Sequence, residues 1–170
     1  MIGYVQVYTG NGKGKTTAAL GLTLRAVGSG LKVYIAQFMK GMDYGELHSL
    51  KLLPNVTIER FGKPSFIHGK PDEEDTRIAA EGLKRVKEVL TTGEYDIVIL
   101  DEANVACYLG LFSAQELVDV VKSRAPSTEV IVTGRYAPEE LLEVADLVTE
   151  MKEIKHYYQK GVLARKGIEY

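Results

Sequence analysis

Short apolar runs rich in β-branched residues alternate along the chain with longer stretches of helical spacing. This is the pattern of βα units feeding a parallel sheet covered on both faces. The runs near residues 3–9, 31–38, 55–61, 95–100, 128–133 and 146–151 read as strands. Between them, residues 15–28 (KTTAALGLTLRAVG) and 72–91 (DEEDTRIAAEGLKRVKEVLT) place apolar side chains at helical intervals, and the acidic opening of the second suits a helix N-terminus. Ser113 and Pro138 are start signals for two more helices over 113–124 and 138–145. The stretch from Phe61 to Pro71 (FGKPSFIHGKP), with two prolines and two glycines, reads as a long loop at the end of a strand. In open α/β sheets that edge is where ligands bind. The fold class expected is therefore α/β, a mostly parallel sheet with helices on both faces.

Length and composition narrow the picture. A chain of 170 residues has room for one domain with a sizeable core, taken here as 1–170. The hydrophobic fraction of 45% and charged fraction of 26% fit a soluble globular protein, and a net charge of −2 supplies no global positive field to draw in nucleic acid. The single cysteine, Cys107, excludes an internal disulfide, a zinc ribbon and an iron–sulfur cluster together. Within the apolar, helical stretch ANVACYLGLF it reads as a core residue. The opening MIGYVQVYTG has no basic flank leading into a long apolar run, and no later segment reaches the roughly 18 apolar residues of a membrane span. A cytoplasmic protein without membrane contact is expected.

The sharpest chemical signal is Thr9-Gly10-Asn11-Gly12-Lys13-Gly14-Lys15-Thr16, set between an apolar strand and an apolar-periodic helix. It is a P-loop in its expected setting. Glycines let successive N–H groups turn toward phosphate oxygens, Lys15 adds positive charge, and the helix N-terminus adds a partial one. The Thr16 hydroxyl can bind Mg²⁺. The usual first glycine is Thr9 here, with Gly10 following. Downstream, the apolar run Ile97-Val98-Ile99-Leu100 ends in Asp101-Glu102, so one of these acids can hold Mg²⁺ opposite Thr16, directly or through water. Thr133-Gly134-Arg135 follows another apolar strand, and Arg135 can neutralise a phosphate as a planar, permanently charged donor. These parts specify a nucleoside triphosphate and Mg²⁺, and leave open an ATPase, a nucleotide kinase or a nucleotide-binding regulator without catalysis.

Taken in order, six segments resemble the P-loop type of ATP:cob(I)alamin (corrinoid) adenosyltransferase over nearly the whole chain. They are the loop from Thr9 through Thr17 to Ala19, Gln37-Phe38-Met39-Lys40-Gly41, Leu100-Asp101-Glu102, Thr133-Gly134-Arg135, Ala145 to Met151, and the tail from Ile154-Lys155-His156 through Gly161 to Lys166-Gly167-Ile168-Glu169-Tyr170. The family's own loop carries the Thr9-Gly10 arrangement. The resemblance implies a homodimeric, RecA-like P-loop fold that transfers the 5′-deoxyadenosyl group of ATP to the cobalt of a reduced corrinoid and releases triphosphate, served by a reductase partner. Cobalt(I) is itself a strong nucleophile, so no serine, cysteine or histidine base is needed. Lys13, Lys15, Arg135 and the loop N–H groups would stabilise the leaving triphosphate, with Mg²⁺ on Thr16 and Glu102. The nucleotide would lie in the reverse of the usual P-loop direction, turning C5′ to the corrinoid. Some members place a Phe-x-Trp pair beneath the corrin ring; the corresponding residues here are Phe66 and His68, and the tryptophan is absent.

Overall fold

The computed structural model describes residues 2–64 and 69–170. Six strands alternate with helices: β1 (Val5–Thr9), α1 (Lys15–Gly28), β2 (Val33–Phe38), α2 (Gly45–Leu50), β3 (Val56–Phe61), α3 (Glu73–Thr92), β4 (Ile97–Asp101), α4 (Ala103–Tyr108), α5 (Ala114–Lys122), β5 (Glu129–Thr133), α6 (Glu139–Val144) and β6 (Leu147–Glu150). A short 3-10 turn at Tyr157–Lys160 follows. The strands form one sheet in the order β3-β2-β4-β5-β1-β6, and every pairing among them is parallel. The sheet is thus wholly parallel where a mostly parallel one was expected.

Alternation within the strands builds a core on each face. Val5, Val7, Tyr34, Ala36, Phe38, Val98 and Leu100 join α3, α4, α5 and α6 in one cluster. Tyr8, Val33, Ile35, Ile97, Ile99 and Ile131 meet α1 and α2 in the other. Ile99 and Leu100 are fully buried on opposite faces, and each contributes roughly 1.5–3 kcal/mol by leaving water. Burial on both sides explains why the sequence of β4 is apolar throughout. β6, at the edge, is exposed along its whole length.

The longer helices carry their expected start signals. Asp72 and Asp75 form a reciprocal capping box on α3, which ends at left-handed Gly93. Ser113 and Glu116 do the same for α5, and Pro138 caps α6. α2 was not expected, because six residues are too few to establish a helical period. The apolar stretch after Glu102 is helical only to Tyr108 and stops before left-handed Gly110. Cys107 is partly buried against the core, and burial raises its thiol pKa.

Candidate active site

The parallel strands end on one edge, and the loops leaving them carry the polar residues. Gly10 (φ 95°) and Gly14 (φ 122°) give the loop between β1 and α1 its left-handed turns. A Cβ on Gly10 would stand 2.4 Å from the Met151 carbonyl oxygen. The Gly12 amide donates to that carbonyl at 2.7 Å, so the loop rests on the chain following β6. Lys15 folds under the loop and donates to the carbonyls of Gly10 at 2.8 Å and Gly12 at 2.7 Å. Burial pushes its pKa down, with Glu102 acting in the opposite sense. The first-turn amides of α1 have no partners within the helix, and its positive end faces the same space.

Asp101 is the centre of the neighbouring network and is buried. Its Oδ1 accepts from Thr16 at 2.8 Å and from Thr133 at 2.7 Å; its Oδ2 pairs with the Lys40 ammonium at 2.7 Å and accepts from Gln37 at 3.4 Å. The sheet register brings this about, since Gln37 is paired with Asp101 across β2 and β4. Lys40 also lies 3.5 Å from the Thr16 hydroxyl and 5.3 Å from the centre of the Tyr44 ring. Glu102 faces the same space, and burial, followed by the Asp101 charge, raises its pKa.

Three non-glycine residues among those described adopt left-handed backbone: Met39 (φ 59°), Glu102 (φ 62°) and Tyr136 (φ 60°). They adjoin Lys40, Asp101 and Arg135 respectively, beyond the ends of β2, β4 and β5, which are adjacent in the sheet. Each such conformation costs about 1–3 kcal/mol, a strain that persists where the fold must aim side chains at a common point.

These elements border a cleft of about 650 Å³, within the size range of small-molecule sites. Lys13, Lys15, Thr16, Thr17, Lys40, Glu102 and Arg135 line it together with Glu46, His156, Glu169 and Tyr170. Among the residues expected from sequence, Gly12, Lys13, Gly14, Lys15, Thr16, Thr17, Glu102 and Arg135 therefore border one space. Gly10 supports Lys15 from behind, and Asn11 is exposed at the loop. Lys13 is turned to the tail, donating to Glu169 at 2.7 Å, to the Ile168 carbonyl at 3.0 Å and to the Tyr157 hydroxyl at 3.3 Å. The acid that meets Thr16 is Asp101, with Glu102 beside it. Phe66 and His68 lie outside the described residues.

Sequence reasoning held Asp101 only as one of two acids able to meet Mg²⁺ and settled on Glu102, and it gave Lys40 no role beyond its place in the segment Gln37 to Gly41. The available signal was polarity at the ends of two buried strands, Gln37 to Lys40 and Asp101. That signal becomes specific only when β2 and β4 are known to be neighbours.

Fold and site together define a P-loop NTPase-like α/β protein with a cationic cleft at the carboxyl edge of its sheet. Residues 1–170 match the family described as ATP:corrinoid adenosyltransferase BtuR/CobO/CobP. The chain is 36% identical over 168 residues to the corrinoid adenosyltransferase of Escherichia coli (strain K12), covering 99% of this chain and 86% of that protein. It is 34% identical over 170 residues to the corrinoid adenosyltransferase of Pseudomonas aeruginosa, covering 99% and 84%. The corresponding Salmonella typhimurium protein is 33% identical over 168 residues, covering 99% and 86%. This chain belongs to the ATP:corrinoid adenosyltransferase family.

Proposed function

We propose that the cleft binds ATP by its triphosphate and that the chain transfers the 5′-deoxyadenosyl group to the cobalt of a reduced corrinoid. The observation that carries this reading is the convergence of Lys13, Lys15, Lys40 and Arg135 with the α1 N-terminus on one cleft of about 650 Å³. In the transfer, the cobalt(I) electron pair forms a bond to C5′, the bond from C5′ to the triphosphate oxygen breaks, and its electrons leave with triphosphate. Cobalt becomes formally cobalt(III). Charge grows on the leaving oxygen, so donors fixed in place before the reaction lower the barrier. Lys15 and the first-turn amides of α1 serve the phosphates from the loop side, and Arg135 from β5.

The residues fit Mg²⁺. The Thr16 and Asp101 oxygens are 2.8 Å apart, close to the ~2.9 Å between adjacent ligands of an octahedral Mg²⁺ with bonds of about 2.05 Å. Thr16 would hold the ion, with Asp101 and Glu102 as the acids beside it, directly or through water. The ion would add positive charge at the triphosphate. Among the described residues no helix is long and apolar enough to cross a membrane. The reading extends to a cytoplasmic homodimer supplied with reduced corrinoid by a reductase.

The family resemblance assigns Phe66 to the lower corrin face and His68 to its edge or away from it. An apolar group in the lower axial position leaves cobalt(II) without a donor there and makes cobalt(I) easier to reach. Electron paramagnetic resonance of cob(II)alamin bound with ATP is expected to show a four-coordinate species, much reduced in Phe66→Ala. Nitrogen hyperfine splitting that disappears in His68→Ala would overturn the assignment.

The phosphate assignment is tested by Lys15→Ala and Glu102→Ala, both expected to abolish turnover. Lys15→Ala is expected to weaken ATP binding about 10-fold to 150-fold, the loss of a charge-assisted contact worth roughly 1.5–3 kcal/mol. Glu102→Ala is expected to respond to added Mg²⁺. Parent-like ATP binding and activity in Lys15→Ala would contradict the assignment.

A further inference from the structure

Lys40 places a positive charge against the two side chains a metal would need. Its ammonium is 2.7 Å from Asp101 Oδ2 and 3.5 Å from Thr16 Oγ1, touching both side chains that the reading above gives to Mg²⁺. Asp101 has no acceptor capacity left over: two hydroxyls on one oxygen, and an ammonium and an amide on the other, use the roughly four lone-pair positions of a carboxylate.

The backbone aims Lys40 at this point. Met39, just before it, is held at φ 59° and donates its amide to the Phe61 carbonyl at 2.9 Å. The chain then passes so close to the loop after β3 that a Cβ on Gly41 would lie 2.0 Å from the Lys63 carbonyl oxygen, and one on Gly62 only 2.5 Å from the Lys40 amide nitrogen. The two strands are therefore pinned backbone to backbone where the lysine leaves. The Tyr44 ring, 5.3 Å from the ammonium, borders the cleft and keeps a cation–π contact with the lysine.

We propose that Lys40 is a resident cation that fills the metal position between Thr16 and Asp101 in the nucleotide-free protein and yields it only when the triphosphate arrives. The metal then enters with the nucleotide instead of ahead of it, and Lys40, released from Asp101 into the cleft, becomes a further donor to phosphate oxygen. The charge on buried Asp101 is compensated in both states, first by the ammonium and then by the metal. Lys40 is thus a positioning residue for the metal. This inference rests on the reading that triphosphate and Mg²⁺ bind in this cleft.

Mn²⁺, visible by electron paramagnetic resonance, is the probe. Parent protein without nucleotide is expected to bind Mn²⁺ weakly, and parent with ATP to bind it tightly. In nucleotide-free Lys40→Met, Mn²⁺ affinity is expected to rise roughly tenfold or more, because a positive charge within about 4 Å has been removed. Mn²⁺ should also raise the Tm of that variant and leave the nucleotide-free parent unchanged. Lys40→Arg keeps the charge and is expected to show no gain. Equal Mn²⁺ affinity in nucleotide-free parent and Lys40→Met overturns the proposal. If parent with ATP binds no Mn²⁺ beyond that held by ATP in buffer, the reading of the cleft itself fails, and the proposal with it. A second measurement does not depend on the folding of Lys40→Met. In the parent, the Lys40 side-chain ammonium signal, assigned by its absence from Lys40→Arg, should move on adding MgATP. An unmoved signal with MgATP bound means that the lysine does not yield, and overturns the proposal.

Discussion

Two regions beside the cleft are held by opposite means. On the strand side, Asp101, Thr133 and Gln37 are buried, fixed by β2, β4 and β5, and joined by hydrogen bonds that all run through one carboxylate. On the tail side, residues 151–170 leave Ile154 95% and Leu163 74% exposed, and the attachment is largely polar. Glu169 there collects Lys13, Tyr157 and Arg165, and these partners hold its carboxyl well below the usual carboxylate range, Arg165 first. A region with few buried contacts opens locally at little cost. The strand side fixes charges by burial, whereas the tail is held to the Lys13 loop by polar contacts near the surface.

The largest expected effect is on the strand side. Asp101→Asn keeps an acceptor for the two hydroxyls and leaves the Lys40 charge without its counter-ion. It is expected to cost about 3–5 kcal/mol in urea unfolding, the penalty for breaking a buried pair from one side. A loss below about 1 kcal/mol, the ordinary value of a surface pair, would mean that this network is no more rigid than the tail.

A smaller effect is expected from Glu169→Gln. Releasing Lys13 toward the phosphates should tighten ATP binding roughly two- to fivefold at low salt and leave Tm unchanged, and the gain should shrink as salt rises. A fall in Tm comparable to that of Asp101→Asn would erase the distinction between the two sides.

The smallest effect belongs to neither side and calibrates both. Asp72 caps α3, and the Lys63 ammonium, then the Asp75 amide, lower its pKa from 3.8 to about 2. Such a group adds stability above pH 3.8 and loses it as pH falls through about 2. Thermal melts over that window should fall less steeply with decreasing pH in Asp72→Asn, which keeps the cap without the charge. An unchanged slope would remove the charge from the account of this helix start.

The same contrast decides what was legible in the sequence. Apolar runs and helical spacing announced the six strands and four of the helices; burial on both faces forces such runs in β2 and β4, while exposed β6 was legible only by its β-branched residues. The loop from Thr9 to Thr16 was legible because its chemistry is local in sequence. Lys40 and Asp101 lie 61 residues apart and meet only through the pairing of β2 with β4. Glu169 reaches Lys13 from 156 residues away, through an exposed tail with no hydrophobic period to place it. Spacing along the chain carries neither contact.

The most direct test of the cleft as an adenosyl-transfer site is product analysis with ATP and chemically reduced cobalamin. The expected products are a light-sensitive cobalt–carbon bond and intact triphosphate in equal amounts, both lost in Lys15→Ala. ADP and phosphate formed without corrinoid, and no cobalt–carbon bond with it, would contradict the assignment and mark the cleft as that of a hydrolase.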